Sequence, residues 1–338
     1  MQNRRHFLTT GFSLAAAGLA GAAALTRARE SLAEEAPPET TTLRLPKIPG
    51  YTCLAPLDIL DDLLREEGFV DVRYVEQKSP TEEEGVARGE LDFGQNFAST
   101  TMFLMDAGVP TVMLAGVHLG CVELRAREPI RSVVDLKGKK VWAATLWDPG
   151  HTMLPIVAAS VGLDPAKDLN WVFEEKRDPK DLFEAGEIDA FMTVPPWAQE
   201  LRGQNVGHVI LSSALDHPWS QYFCCVLLGN VDFVRRNPIA TKRVVRAMLR
   251  ATDICTAKPD WVAQRLVDRG FTPRYDYVRQ GLTDVSYSSW REFDAEDSVR
   301  FWALRLHEVG VIKSSPDKII ATGTDFQFLN EVRKDYGL

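Results

Sequence analysis

Cysteine, long apolar runs and clusters of basic residues are all scarce in this chain. The five cysteines include no Cys-x-x-Cys pair and no zinc-binding pattern, and we interpret them as mostly buried thiols that pack like small apolar side chains. The longest apolar run falls short of the roughly 20 residues that cross a bilayer. With a formal net charge of −8 and no run of Lys or Arg, the chain has no electrostatic footprint for nucleic acid or anionic lipids.

Motifs of common catalytic sites are missing as well. The sequence has no Gly-x-Ser-x-Gly, no His-Glu-x-x-His and no phosphate-binding loop. Asp and Glu are numerous, but no pair stands out, and solvated helix faces account for most of them. The sequence therefore predicts a protein that performs no chemistry of its own, with no cofactor and no metal.

The N-terminal residues have the pattern of an export signal. Arg4 and Arg5 precede an apolar run over residues 11–25, and small residues up to Ala33 offer a cleavage site. The paired arginines resemble the twin-arginine signal of bacteria. We therefore expect residues 1–33 to be a cleaved signal peptide and the mature protein to lie in the periplasm. No cysteine near the cleavage site is available for a lipid anchor.

A short phrase occurs twice in the rest of the sequence. Residues Arg88–Phe93 read RGELDF and residues Ala185–Ala190 read AGEIDA, each between a helix-like and a strand-like stretch. Gly89 and Gly186 suit the position after a helix that favours positive φ. The copies are separated by a domain-sized stretch, not by the roughly 20 to 50 residues of a solenoid repeat. The repeat therefore indicates two similar lobes, the alternative being a common turn used twice by chance.

Strand-like and helix-like stretches alternate along most of the chain, which predicts an α/β fold with two lobes, each a mostly parallel sheet flanked by helices. We expect residues 41–120 to form the first part of lobe I and residues 121–225 to form lobe II. Residues 226–338 would complete lobe I and add helices that pack back on it. Two crossover segments, near residues 117–127 and 220–230, would join the lobes.

The predicted ligand-binding residues follow strands or lie near the crossovers. In open α/β sheets, ligands bind beyond the carboxyl ends of the strands, where helices begin and backbone N–H groups point outward. The predicted set is Tyr51, Gln95, Asn96, Phe97, His118, Trp147, His151, Thr152, Pro196, Trp197 and Tyr222. Helix capping or core packing is the alternative role for these residues.

Three passages resemble one family. Residues Val133–Val141 are similar to the phrase with which its members begin their second lobe, and residues Gly186–Ala190 with Pro195–Trp197 are similar to their acidic turn and following aromatic segment. Residues 233–238 resemble their return to the first lobe. The family comprises the solute-binding proteins of ABC importers for nitrate, sulfonates, taurine and related compounds, which share a fold with thiamine-pyrimidine synthases.

The resemblance implies a periplasmic binding protein fold of type II and a function in import. The chain would be a monomer that captures a small solute between its lobes and delivers it to an ABC permease in the inner membrane. An enzyme of the same fold acting on a small acid or pyrimidine, or a ligand sensor for a membrane receptor, are the alternatives. Phe223-Cys224-Cys225 falls short of the Cys-rich motif of the pyrimidine synthases.

The identity of the solute stays open at this point. Several candidate aromatics and few candidate Arg or Lys residues favour an organic solute, with anionic and ring-bearing compounds both open, over bare nitrate or sulfate, which would need a tight cage of donors. Sulfonate, carboxylate and pyrimidine ligands all remain candidates.

Overall fold

The structure, a computed structural model, describes residues 35–338. The predicted signal peptide therefore lies outside the described residues. Ten strands form three sheets in the described part of the chain, and helices cover them. Among residues 35–338, no helix is both long enough and apolar enough to pass through a bilayer.

The strands and helices alternate from residue 42 to residue 236 and then give way to helices alone. The strands are β1 Thr42–Pro46, β2 Asp71–Val75, β3 Phe93–Phe97, β4 Thr111–Leu119, β5 Glu123–Ala126, β6 Lys140–Ala143, β7 Asn170–Phe173, β8 Ala190–Thr193, β9 His208–Ser212 and β10 Phe223–Asn230. The helices are α1 Ala55–Asp58, α2 Leu60–Glu66, α3 Glu82–Ala87, α4 Ala98–Asp106, α5 Pro149–Ser160, α6 Pro179–Glu184, α7 Trp197–Gly203, α8 Val231–Arg236, α9 Pro238–Ala257, α10 Pro259–Asp268, α11 Tyr275–Asp284, α12 Ala295–Glu308, α13 Pro316–Gly323 and α14 Gln327–Asp335.

Two lobes are defined by the sheets. Lobe I holds the parallel pair β1–β2 and the sheet β3–β10–β4, and lobe II holds the sheet β7–β6–β8–β5–β9. Strand β4 is buried along its whole length, which explains its nearly continuous apolar sequence. Each lobe therefore has a sheet-based core of its own.

The sheets are mixed, whereas the sequence led us to expect mostly parallel ones. Strands β6, β7 and β8 pair in parallel, but β5 runs antiparallel to β8 and β9, and β10 runs antiparallel to β3 and β4. Strands β5 and β10 are each the first strand in the sequence after the chain has crossed from one lobe to the other. A strand that arrives directly from the other lobe enters its sheet without a helical crossover, and only such a crossover returns the chain to a parallel direction.

The two crossover segments touch each other. The chain leaves lobe I between β4 and β5 and returns between β9 and β10. The backbone N–H of Val122 donates to Oγ of Ser213 at 2.8 Å, and the N–H of Ser213 donates to the carbonyl oxygen of Val122 at 2.8 Å. A Cβ atom at Gly120 would lie 1.9 Å from the carbonyl oxygen of Ser213. Glycine is therefore required where the crossovers meet.

The repeated phrase performs the same task in both lobes. Gly89 and Gly186 have φ values of 71° and 78°, so the predicted positive φ after a helix is confirmed. In lobe I, Oδ2 of Asp92 accepts from the backbone N–H of Arg44 at 2.7 Å. In lobe II, Oδ2 of Asp189 accepts from the N–H of Lys140 at 2.9 Å. Each aspartate therefore ties the strand that follows it to an earlier strand of its own lobe, β1 in lobe I and β6 in lobe II.

Helix boundaries differ from the sequence pattern in a few places. The apolar spacing predicts one helix from Ala55 to Glu67, but Ile59 has φ −105° and ψ 7°, so α1 and α2 are separate. Helices α11 and α13 were not predicted; about half of the residues in each are exposed.

The C-terminal helices pack on lobe I through a buried ion pair. Arg246 of α9 donates from Nη2 to Oε2 of Glu67 at 2.7 Å and to Oε2 of Glu35 at 2.7 Å. Glu67 is 1% exposed and Arg246 is 6% exposed. Within residues 35–338 this network links the chain before β1, the end of α2 and the longest helix.

We expect Glu67→Ala to lower the free energy of unfolding by about 3 to 5 kcal/mol, because it leaves Arg246 buried without its main partner. Urea denaturation measures the loss. The neighbouring Glu66 pairs with Arg250 on the surface, so Glu66→Ala is the matched control and should cost no more than about 1 kcal/mol. Equal losses in the two variants would contradict the buried-pair account.

Candidate ligand-binding cleft

A cleft of 1010 Å³ lies between the two lobes. Lobe I contributes the loop after β1, the start of α3 and the end of β3, and lobe II contributes the loops after β6, β7 and β8. These are carboxyl ends of strands, where ligands bind in open α/β sheets. The volume lies at the upper end of the range of about 300 to 1,000 Å³ that small-molecule pockets occupy.

Several of the residues predicted from sequence come together in this cleft. Those that line it are Tyr51, Gln95, Asn96, Phe97, Trp147 and Trp197. Contact between these side chains and a solute stays a prediction.

Aromatic side chains from both lobes meet at one wall of the cleft. The ring centroids of Tyr51 and Trp197 are 4.8 Å apart at an angle of 73°, an edge-to-face arrangement. Gly50 has φ 102°, and a Cβ atom there would lie 3.4 Å from Cη2 of Trp197. The indole of Trp197 therefore rests against the backbone of lobe I. The backbone N–H of Thr52 also donates to the carbonyl oxygen of Pro195 across the lobes at 3.1 Å.

Gln95 and Glu82 form part of the cleft floor in lobe I. The backbone N–H of Gln95 donates to Oε1 of Glu82 at 2.6 Å, and Nε2 of Gln95 donates to the carbonyl oxygen of Cys53 at 2.6 Å. Oε1 of Gln95 is buried and has no partner. A Cβ atom at Gly94 would lie 2.1 Å from Oε1 of Glu82, so glycine makes room for that carboxyl group. The floor thus offers an unused acceptor beside a carboxyl group.

Glu83 and Asn96 lie next to this pair. Thr101 Oγ1 donates to Oε1 of Glu83 at 2.8 Å, and Asn96 Nδ2 donates to Oε2 of Glu83 at 3.3 Å. Oδ1 of Asn96 accepts from the N–H of Phe97 at 2.8 Å. The amide of Asn96 is therefore engaged within the protein on both sides, although it does not cap α4, whose N-cap residue is Phe97.

Burial changes the acidity of the carboxyl groups in the cleft. It raises the pKa of Glu82 well above its usual value, and the nearby Glu83 raises it further. Burial also raises the pKa of Glu83. On the lobe II side, burial raises the pKa of Asp148 to about 6, although its Oδ1 accepts from the N–H of Gly150 at 2.7 Å. These groups favour the protonated form or a partner that supplies hydrogen-bond donors or positive charge.

Basic side chains lie at the mouth of the cleft instead of its floor. Among the described residues that line the cleft, no Lys or Arg is buried. Lys47 and Lys176 are exposed. Arg177 pairs with Glu187 at 2.7 Å, and Arg274 pairs with Glu200. The cleft therefore has no buried, uncompensated cation with which to hold a small anion.

Three of the predicted ligand-binding residues lie away from the cleft lining. His118 is 0% exposed in β4, and its ring packs against Tyr287 with centroids 5.3 Å apart. His151 packs against Trp171 of β7 with ring centroids 4.8 Å apart. Thr152 is buried, and its Oγ1 lies 2.9 Å from Oγ of Ser99. Both histidines pack against aromatic rings, and Thr152 joins α5 of lobe II to α4 of lobe I.

Pro196 and Tyr222 are also absent from the lining. Pro196 is buried at the start of α7, where its carbonyl oxygen accepts from the N–H of Glu200 at 3.1 Å. Tyr222 stacks on Phe301 of α12 with ring centroids 3.7 Å apart and planes 5° apart. Its ring is occupied by the C-terminal helices of lobe I.

Sequence reasoning missed Glu82, Glu83, Asp148 and Trp142, which line the cleft. Glu82 and Glu83 begin α3, and acidic residues are common in the first turn of a helix, so they resemble an ordinary solvated helix start. Glu82 and Glu83 lie in the helix that leads into the first repeated phrase, and this position could have indicated that they belong to the cleft. Asp148 was likewise hidden by its role as the N-cap of α5.

The structure also brings together residues that are able to hold a metal ion. A ring nitrogen of His118 and the sulfur atoms of Cys53 and Cys121 lie within 4.8 Å of one another, and so do the sulfur atoms of Cys121, Cys224 and Cys225. All five cysteines are buried, as predicted, and all are free thiols.

Comparison with known proteins assigns the chain to a family. A profile of the NMT1-like family matches residues 36–266. The chain belongs to the NMT1-like family. Among curated proteins, the nitrate import ATP-binding protein NrtC of Synechocystis sp. is 25% identical over 76% of this chain and 42% of its own length. The chain spans about half the length of the curated relatives it matches, between 42% and 56%.

Solved structures show the fold of this NMT1-like protein. The periplasmic nitrate-binding protein NrtA of Synechocystis PCC 6803 is similar with a TM-score of 0.75 and 17% identity, over 88% of this chain and 90% of that one. The alkanesulfonate-binding protein SsuA of Xanthomonas axonopodis pv. citri, bound to MOPS, has a TM-score of 0.67 and 17% identity, over 81% of this chain and 95% of that one. These neighbours are binding proteins, and the predicted two-lobed periplasmic binding protein fold is confirmed.

Asp148 makes the stability of the protein depend on pH. Its pKa is about 6 in the folded protein against an ordinary value of 3.8, so the folded state holds the proton more firmly than the unfolded state. The resulting stabilisation is complete below pH 3.8 and is lost as the pH rises through about 6. It amounts to at most about 3 kcal/mol.

We therefore expect Asp148→Asn to flatten the decline in the free energy of unfolding between these pH values, because asparagine keeps the helix cap without titrating. Chemical denaturation at a series of pH values measures the difference. Asp178 is an exposed N-cap of α6, so Asp178→Asn is the matched control and should retain the wild-type decline. A decline unchanged in Asp148→Asn would contradict the assignment.

Proposed function

We propose that this protein is the solute-binding component of an ABC importer and that it closes its two lobes around a small organic solute. The observation that carries the proposal is the cleft, which both lobes line at the carboxyl ends of their strands. The family match and the binding-protein fold support it. The mature chain would act as a monomer in the periplasm and would present the closed form to a membrane permease, without chemistry of its own.

The arrangement of the crossovers supports hinge closure. Two adjacent backbone segments join otherwise separate sheets, so the lobes are able to rotate about one short region. Direct bonds already join the lobes at separate points, between Ser99 and Thr152 and from Gln199 Nε2 to Asp284 Oδ2 at 3.0 Å. Such bonds stabilise one relative orientation of the lobes, and a bound solute would add to them.

The lining of the cleft favours a particular solute. Tyr51, Trp147 and Trp197 supply aromatic surface for stacking, and Gln95 supplies an unpartnered acceptor. The buried carboxyl groups of Glu82 and Glu83 favour a neutral or cationic solute, because hydrogen-bond donors or positive charge would stabilise their ionised form. We infer a ring-bearing solute with N–H donors, neutral or cationic. Nitrate and sulfonates, which the structural neighbours bind, would lack a buried cationic partner.

The solute is identified by mass spectrometry of small molecules released from the protein after purification from the periplasm. A thermal-shift screen then ranks the candidates, since a solute at 100 times its Kd stabilises the protein by about 2.7 kcal/mol. A nitrogen-bearing ring compound should shift the melting temperature, and nitrate, sulfate and alkanesulfonates should not. A shift with the anions alone would overturn the inferred solute class, and turnover of the identified compound would favour an enzyme.

Trp197→Ala should weaken binding of the identified solute by about 1 to 3 kcal/mol through lost aromatic contact. The melting temperature without solute should change little, because the indole is partly exposed. Isothermal titration calorimetry and thermal unfolding separate the two effects. Trp261 is 47% exposed on α10 and does not line the cleft, so Trp261→Ala should bind normally. Normal affinity with a sharply lowered melting temperature in Trp197→Ala would instead identify a packing residue.

Export through the twin-arginine route is a separate part of the proposal. Replacing Arg4 and Arg5 together with lysine should leave the uncleaved precursor in the cytoplasm, because that route reads the arginine pair. Cell fractionation and the mass of the protein provide the readout. The pair Arg27 and Arg29, replaced in the same way, should be exported as usual. Normal periplasmic levels of the Arg4 and Arg5 variant would indicate the general secretion route.

A further inference from the structure

We propose that a single thiophilic metal ion, with Zn²⁺ as the first candidate, binds beneath the cleft at the point where the two crossovers meet. Its ligands are Cys53, His118 and Cys121, and a sulfur atom of Cys224 or Cys225 completes the set. The site lies directly under the floor of the cleft, where Cys53 and Cys225 are part of the lining, and the proposal does not depend on which solute the protein binds.

The donor atoms already have spacings that suit one ion. A tetrahedral Zn²⁺ site with Zn–S distances of about 2.3 Å places its ligand atoms about 3.8 Å apart. The sulfur atoms of Cys121 and Cys224 are 3.6 Å apart. The two groups of three donors each fit within 4.8 Å and share Cys121. Small side-chain movements would therefore bring four donors to ligand distance.

The ring of His118 is prepared for ligation. Its Nδ1 lies 2.7 Å from the carbonyl oxygen of Leu119, which accepts a hydrogen bond from the Nδ1–H tautomer. In that tautomer Nε2 carries the free lone pair, and Nε2 is buried without any hydrogen-bond partner. A ligating histidine characteristically donates its other ring N–H to a backbone carbonyl in this way. A buried ring nitrogen without a partner is otherwise costly, and a metal ion would satisfy it.

The fifth cysteine, Cys255, is a buried thiol that only packs against its neighbours, and it serves as a reference for the other four. Cys255 lies in α9 with 0% exposure and belongs to neither donor group. The other four come from the loop after β1, the first crossover and the start of β10. Apart from the adjacent pair Cys224 and Cys225, their convergence is therefore a product of the tertiary fold. Sulfur and imidazole donors in a closed, four-coordinate arrangement favour Zn²⁺, with Cu(I) as the other ion of similar preference.

The position of the site gives the ion a structural task. His118 and Cys121 lie at the end of β4 and in the outgoing crossover, whereas Cys224 and Cys225 open the strand that receives the returning chain. Cys225 and His118 are partners in the pairing of β10 with β4. An ion held by both sides would fasten the two crossovers at their lobe I end. Rotation of lobe II would then start beyond Cys121.

The test begins with the wild-type chain, purified under reducing conditions from cells supplied with zinc. Elemental analysis after gel filtration should find about one metal ion per chain, and the reduced apoprotein should rebind one Zn²⁺. Co²⁺ added to the apoprotein should give the thiolate charge-transfer and visible d–d bands of tetrahedral cobalt. A chain without bound metal that shows no such bands would overturn the proposal. So would a Cys121–Cys224 disulfide in the periplasmic protein with no metal present.

Variants then locate the ion. Cys121→Ser should lower the bound zinc at least tenfold, because Cys121 belongs to both donor groups. Cys255→Ser removes an equally buried thiol outside the groups and should keep one zinc per chain. If Cys121→Ser fails to fold, His118→Gln provides the second location test and should alter the Co²⁺ spectrum towards a set of sulfur ligands. Loss of zinc in Cys255→Ser, or full zinc and an unchanged Co²⁺ spectrum in the other variants, would overturn the assignment.

Discussion

The rest of the structure depends on the insertion of β10 between β3 and β4. This pairing returns the chain to lobe I directly beside the place where it left, since Phe223 pairs with Leu119. The ring of Phe223 lies so close to β4 that a Cβ atom at Gly116 would be 2.2 Å from it. Because the outgoing and returning segments are neighbours, the lobes are joined at one place, and the space between their strand ends remains open as a cleft.

The cleft combines aromatic walls with a carboxyl-rich floor, and the second feature decides what it is able to hold. A carboxyl group such as Glu82, 5% exposed, loses hydration when it ionises, whereas Lys47 at the mouth keeps its water. Charge near the floor is therefore costly unless the partner supplies protons or positive charge. Similarity of fold to nitrate- and sulfonate-binding proteins is by itself no ground for expecting a similar ligand.

Sequence reasoning succeeded where local chemistry dictates the structure and failed where only the tertiary fold does. The turns at Gly89 and Gly186 were predictable because each needs a positive φ after a helix, and the two lobes followed from them. The acidic start of α3 was not recognised as part of the cleft, because local pattern does not reveal that Glu82 turns inward. The cysteines gave no signal either, since metal patterns in sequence rely on short spacings and these residues converge from separate segments.

Cys53 connects the cleft with the cluster beneath it. Its carbonyl oxygen accepts the hydrogen bond from Nε2 of Gln95, and this bond directs the unpartnered Oε1 of that glutamine. Its sulfur atom belongs to the group with His118 and Cys121 at the crossover. An ion that fixed the sulfur would also fix the backbone of this short segment, and through it the amide of Gln95 at the cleft floor. Through its carbonyl oxygen and its sulfur atom, the single residue Cys53 thus links the junction of the lobes to the cleft floor.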